Sequence, residues 1–207
     1  MELLLNTFVT LFIVIDPIGI ASIYVALTRT VGAESRKKTA LRGTFIASIM
    51  LFLFYFAGDQ LLRFMGIGMP AFRIAGGALL FLLAIDMVFA RQSGLRSTTI
   101  SEQEEAEHRH DISVFPLAFP LIAGPGALTT VILMAAAPVS TVMFAAMAGI
   151  IALVLGLTLL SLLFSSNISG MLGETGGNVI SRLLGLILAA LAVQYVIDGI
   201  REGLLNL

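Results

Sequence analysis

Six stretches of this chain stay apolar for about twenty residues or more, at about 4–28, 43–64, 69–89, 112–135, 141–164 and 179–200. A helix needs roughly 20 such residues to cross the hydrocarbon core of a bilayer. The pattern predicts an all-α membrane protein of six transmembrane helices. With 58% hydrophobic and 12% charged residues and a mean hydropathy of +1.01, the chain lies well outside the soluble range. The lipid bilayer is therefore the expected partner, in the plasma (inner) membrane. A net charge of −1 offers no global field for nucleic acid. The chain has no cysteine, so disulfides, thiolate metal sites and thiol chemistry are out of reach. Neither cofactor nor resident metal is expected, and no enzymatic activity. The start, Met1-Glu2-Leu3-Leu4-Leu5-Asn6, lacks a basic n-region and no A-x-A cleavage site follows. The first run is accordingly expected to be retained as a span.

One strongly polar interval, Gln92 to Asp111, divides the runs three and three. The expected organisation is a first three-helix repeat over 1–91, a polar cytoplasmic linker over 92–111 and a second repeat over 112–207. Nine of the twelve basic residues fall in the connections 1–2, 3–4 and 5–6, counting Arg182 at the opening of the sixth run. The positive-inside rule then makes those connections cytoplasmic and puts both termini outside. Weak internal similarity points the same way. Phe72-Arg73-Ile74-Ala75-Gly76 lines up with Ser181-Arg182-Leu183-Leu184-Gly185, and Pro17 with Pro125, at nearly one offset. A duplicated three-span unit must cross in opposite directions, giving two inverted repeats with discontinuous helices 1 and 4.

Ile15-Asp16-Pro17-Ile18-Gly19 sits in the middle of the first run. An ionisable side chain at that depth is costly, and its default reading is functional. Pro17 has no N–H, and its ring clashes with the carbonyl of Ile13, so the helix kinks or breaks there. Gly124-Pro125-Gly126 interrupts the fourth run centrally. Beyond each break a helix restarts with N–H groups that lack internal partners, and lipid cannot satisfy them. A carboxylate suits such a start, while Asp16 and freed carbonyls suit an ammonium group. A zwitterion fits the pair, and Gly19, Ala21, Ser22, Gly124, Gly126 and Ala127 leave room only for a short side chain. The candidate substrate-binding residues are Asp16, Pro17, Ile18, Gly19, Ser22, Gly124, Pro125, Gly126 and Thr129. The competing reading is that small residues and proline kinks only permit tight helix crossings. Two roles are open for Asp16 as well: proton carrier, since burial raises a carboxyl pKa, or local N-cap of the second half-helix.

Other polar groups read more plainly. Asp86 stands close to Arg91, where an interfacial ion pair is expected, and Asp59 and Arg63 form an i,i+4 helix pair. Arg73 and Arg182 anchor span starts at the interface. Gln194 is expected to face the bundle. Thr129 and Thr130 either bond back to their own helix or touch ligand. Glu102 to Asp111, with His108 and His110 among acids, has no distinctive metal-ligand spacing and reads as a solvated connector.

Four motifs occur in order: Asp16-Pro17-Ile18-Gly19; Ile67-Gly68-Met69-Pro70-Ala71-Phe72-Arg73-Ile74-Ala75-Gly76-Gly77; Phe115-Pro116-Leu117-Ala118-Phe119-Pro120-Leu121-Ile122-Ala123-Gly124-Pro125-Gly126; and Ile180-Ser181-Arg182-Leu183-Leu184-Gly185. On these the chain resembles the MarC family of integral membrane proteins, over essentially its whole length. The resemblance implies six spans in two inverted repeats. It also implies transport of small neutral amino acids such as glycine and alanine, proton-linked, at Asp16 to Gly19 and Gly124 to Gly126. Where relatives commonly continue the first motif with Asn and then Pro, this chain has Ile20 and Ser22.

Three other functions compete. A three-plus-three membrane reductase needs a cysteine pair. An intramembrane aspartyl protease needs two carboxyls at one depth, whereas Asp16 is central and Asp86 near an edge. An exporter or channel for another small metabolite shares the expected architecture, and sequence does not separate it from an importer.

Overall fold

The computed structural model describes residues 2–29, 31–89 and 111–205. All regular structure among them is helical: α1 (Glu2–Ile15), α2 (Pro17–Leu27), α3 (Ala33–Phe64), α4 (Met69–Phe89), α5 (Ser113–Ile122), α6 (Pro125–Ala135), α7 (Thr141–Leu163) and α8 (Ser165–Leu205). Five helical stretches are long and apolar enough to cross a membrane, or six when the bent pair α5–α6 counts as one span. Phe45, Phe56, Val142 and Leu186 point outward. In water so many exposed large apolar side chains would be an aggregation hazard; against lipid they cost nothing.

The apolar runs and the helices agree closely, with informative exceptions. α3 starts at Ala33, well before its apolar stretch. Glu34, Arg36, Lys37 and Lys38 are good helix formers, and an acid in the first turn suits the helix dipole. The helix therefore continues past the hydrocarbon boundary and carries the basic cluster with it. α8 also overruns its apolar stretch, and Gly173 interrupts it at φ 60°, a left-handed backbone open mainly to glycine.

Bundle assembly depends on close approach, because lipid supplies no hydrophobic force between helices. α4 and α8 form the main seam, running antiparallel. A Cβ on Gly77 would lie 2.7 Å from the Ala192 carbonyl oxygen, one on Gly185 2.7 Å from Met87 Cβ, and one on Gly199 2.9 Å from the Pro70 carbonyl oxygen. This seam explains a departure from expectation: Gln194 lies on the exposed face of α8 and donates to Asp198 Oδ1 at 2.8 Å. It is two positions from the fully buried Ala192, roughly 200° around the helix, and so points away from the bundle.

The basic end gathers the end of α2, the start of α3 and the α7–α8 junction. There Arg42 pairs with Asp111 at 2.9 Å. At the opposite end Arg63 pairs with Asp59 at 2.9 Å, and Arg73 pairs with Glu202. The expected partner of Asp86, Arg91, lies outside the described residues, as do His108 and His110; Asp86 itself is buried on α4.

Candidate functional site

The two Pro-started helices, α2 and α6, are each 11 residues long. Proline is suited to the first helical position, where its missing N–H has no intrahelical acceptor anyway. α1 packs on α6 and α2 on α5. The first half of each segment thus meets the second half of the other, so the two pass antiparallel with their interruptions adjacent. Val14, two residues before Asp16, is 3.3 Å from where a Cβ on Gly126 would sit.

At the first interruption, Asp16 has φ 48° and ψ 71°. Asp is among the few side chains that tolerate this left-handed geometry. The turn lets its side chain fold back over α2, where Gly19 N–H donates to Asp16 Oδ1 at 3.0 Å. Asp16 is thereby the N-cap of α2. Its other oxygen, Oδ2, accepts from Ser181 Oγ on α8 at 3.0 Å. The carboxyl is 0% exposed. Main-chain bonding resumes at once on both sides, with Asp16 N–H to the Phe12 carbonyl at 2.8 Å and Ile20 N–H to the Asp16 carbonyl at 3.0 Å. Glu2–Leu27 accordingly runs on as a single 26-residue apolar span.

The second interruption differs. α5 is wide-turned: Leu117 N–H bonds to the Ile112 carbonyl at 3.2 Å and Ala123 N–H to the Ala118 carbonyl at 2.9 Å, each five residues back. Phe115 and Phe119 are extended within it, each preceding a cis-proline. The chain then turns by 57° into α6. Gly124 occupies the N-cap position and, having no side chain, gives α6 no capping bond of its own. The first bond across the break is Leu128 N–H to the Gly124 carbonyl at 3.0 Å, which leaves the N–H groups of Gly126 and Ala127 at a bare helix start. A capping side chain has no room at this position, because a Cβ on Gly124 would collide with the Pro120 carbonyl oxygen.

The sequence candidates fall into two groups. Asp16, Pro17, Gly124, Gly126 and Thr129 are buried where the segments adjoin, while Ile18, Gly19, Ser22 and Pro125 are half-exposed around them. Thr130 bonds back to the Gly126 carbonyl at 2.8 Å, and the Thr129 methyl fills the space left by Gly76 on α4. Ser22 Oγ reaches its own Ile18 carbonyl at 3.4 Å. Sequence reasoning missed Ser181 as a site residue. It opens the motif used to align the repeats, and a hydroxyl within an apolar run was the available signal.

Together these features define a multi-pass helical integral membrane protein with two adjacent, buried helix starts in its core. The chain belongs to the MarC family, whose profile, that of the MarC family integral membrane proteins, matches residues 1–204. Among its relatives, a UPF0056 membrane protein of Archaeoglobus fulgidus is 37% identical over 202 residues, covering 97% of this chain and 93% of the relative. UPF0056 membrane protein YvbG of Bacillus subtilis is 36% identical over 198 residues, with 96% and 94% covered. UPF0056 inner membrane protein YhgN of Escherichia coli is 33% identical over 201 residues, with 97% and 98% covered. No solved structure matches the chain.

Proposed function

We propose that this protein is a secondary transporter of small neutral amino acids, of glycine or alanine size, which binds its substrate between the two Pro-started helices near mid-membrane. The observation that carries the reading is the pairing of unlike groups in one buried place. A carboxyl, Asp16, is fully buried two residues beyond Val14, which packs at Gly126 in the first turn of a helix whose N-cap is a glycine without a capping side chain. A zwitterion complements both, its carboxylate at Gly126 and Ala127 and its ammonium toward Asp16 and neighbouring carbonyls. Asp16 is also the candidate for proton coupling, because protonation would weaken its hold on Gly19 and Ser181 together.

Two inverted three-helix units, 1–91 and 112–207 joined by the linker 92–111, are part of this reading. Packing supports them, since most contacts between the halves come in pairs that exchange when the halves are swapped. α1 and α2 rest on α7 as α5 and α6 rest on α3, and α2 meets α8 as α6 meets α4. Discontinuous helices at the interface of such repeats are the usual setting for alternating access. The buried position of Asp16 corresponds to an occluded arrangement, from which rocking of one unit against the other gives access. The termini face outside in this scheme. Export, or a channel for another small metabolite, is the rival within the same architecture.

The test is exchange of labelled glycine or alanine by purified protein in liposomes. Exchange well above that of protein-free vesicles is expected. No exchange by protein whose helical signal and oligomer profile are intact would contradict the proposal.

A further inference from the structure

A different feature lies at the basic end, away from both helix starts. A cavity of about 400 Å³ opens between the end of α2, the start of α3 and the α7–α8 junction. Arg36 reaches across it, with Nη2 3.1 Å from Ser166 Oγ and 3.4 Å from Ser165 Oγ. The Tyr24 hydroxyl donates to the Arg36 carbonyl, fixing this turn of α3 against α2. Lys37 lines the same cavity.

Among the described residues the guanidinium bonds to the neutral hydroxyls of Ser165 and Ser166. The ion pairs among the described residues are Arg42–Asp111, Arg63–Asp59 and Arg73–Glu202, and none of them neutralises Arg36 or Lys37. Two cations and two hydroxyls around a recess make an oxyanion site, and the planar fork of arginine matches phosphate geometry. The rim supplies a second, apolar half. Leu163 and Phe164 end α7 at the edge of the apolar span and line the same recess, and Phe164 is 57% exposed.

We infer that this cavity binds the phosphate of an anionic phospholipid from the leaflet on the basic side, with its acyl chains along Leu163 and Phe164. Basic recesses between transmembrane helices take anionic headgroups in this way. The apolar rim selects a lipid over a free anion, which would leave those side chains uncovered. The inference holds whatever solute the protein carries.

The experiment uses full-length protein in mild detergent, mixed with phosphatidylglycerol or phosphatidylcholine of identical chains, with retained lipid counted by native mass spectrometry. Wild type is expected to retain phosphatidylglycerol preferentially. Arg36→Gln should reduce that preference about fivefold, the effect of one cation near a membrane surface. Lys37→Gln leaves the Arg36–serine contacts in place and should reduce it in the same direction, which serves if Arg36→Gln does not fold. Arg63→Gln, at the opposite end, should leave it unchanged. Equal retention of the two lipids, a preference untouched by either cavity variant, or an equal loss in Arg63→Gln overturns the inference. So does stabilisation of wild type by inorganic phosphate alone to the extent given by phosphatidylglycerol, which would mark a free-anion site.

Discussion

The starts of α2 and α6 look alike in sequence and solve the same problem in opposite ways. Both are 11-residue helices opened by proline in the core of a membrane bundle. At the first, Asp16 turns back to cap Gly19 and is tied to α8 through Ser181, so the start carries its own capping side chain. At the second, glycine stands in the capping position under the Pro120 carbonyl and brings no capping side chain. One start is capped by its own residue, and the other has a glycine where a capping side chain would stand. In lipid, where water is not available to satisfy N–H groups, that contrast carries the functional reading.

The sharpest way to break the contrast is to put a cap where the backbone refuses one. By propensity alone, Gly124→Ser improves an N-cap by a few tenths of a kcal/mol. Steric overlap with Pro120 should reverse the sign and destabilise the protein by about 1–3 kcal/mol, read as a lower thermal unfolding temperature in detergent. A stabilised Gly124→Ser protein would mean that the second start is merely a poorly capped helix.

Next comes removal of the existing cap. Asp16→Ala loses the bond to Gly19 and leaves alanine in a left-handed turn, at a cost of about 1–2 kcal/mol for each effect. Asp16→Asn keeps both the cap and the turn, so its unfolding temperature should stay close to wild type while any pH dependence of exchange disappears. Exchange by Asp16→Asn with unaltered pH dependence would remove this carboxyl as the proton carrier. Ser181→Ala should have a smaller effect, on the order of 1 kcal/mol, and should vanish in an Asp16→Ala background if the two side chains act as one unit.

The smallest effect concerns the approach to α5. Asp111 accepts from both the backbone N–H and the hydroxyl of Ser113, which together hold its carboxyl below the usual range, with a further contribution from Arg42. A depressed folded-state pKa stabilises above the unfolded value, about 3.9, and the benefit is lost as pH falls through the folded value. Wild type and Asp111→Asn should therefore differ slightly at neutral pH and converge below about pH 4, as followed by acid unfolding. Divergence that grows on acidification would contradict this.

Much of this was legible in the residues, for physical reasons that differ by level. Apolar run lengths gave the spans closely, because crossing a bilayer is a one-dimensional constraint; the run at 69–89 coincides with α4. The bare and capped starts could be located from Pro17 and Pro125. What could not be read was how each is satisfied. The Asp16–Ser181 bond joins residues 165 positions apart, and the crowding of Gly124 by Pro120 arises from the wide turns of α5, which no periodicity announces. Gln194 departs from expectation for a related reason. A polar residue in a span is expected to face inward, but the small-residue seam with α4 fixes the rotation of α8 and turns it out.

Whether the start of α6 grips a carboxylate is measured most directly by counterflow of labelled glycine in proteoliposomes, with unlabelled competitors that differ only in that group. Alanine should suppress uptake of the label, whereas alaninamide, which keeps the ammonium and loses the carboxylate, should not. Equal suppression by both, or no uptake by intact protein, would contradict it.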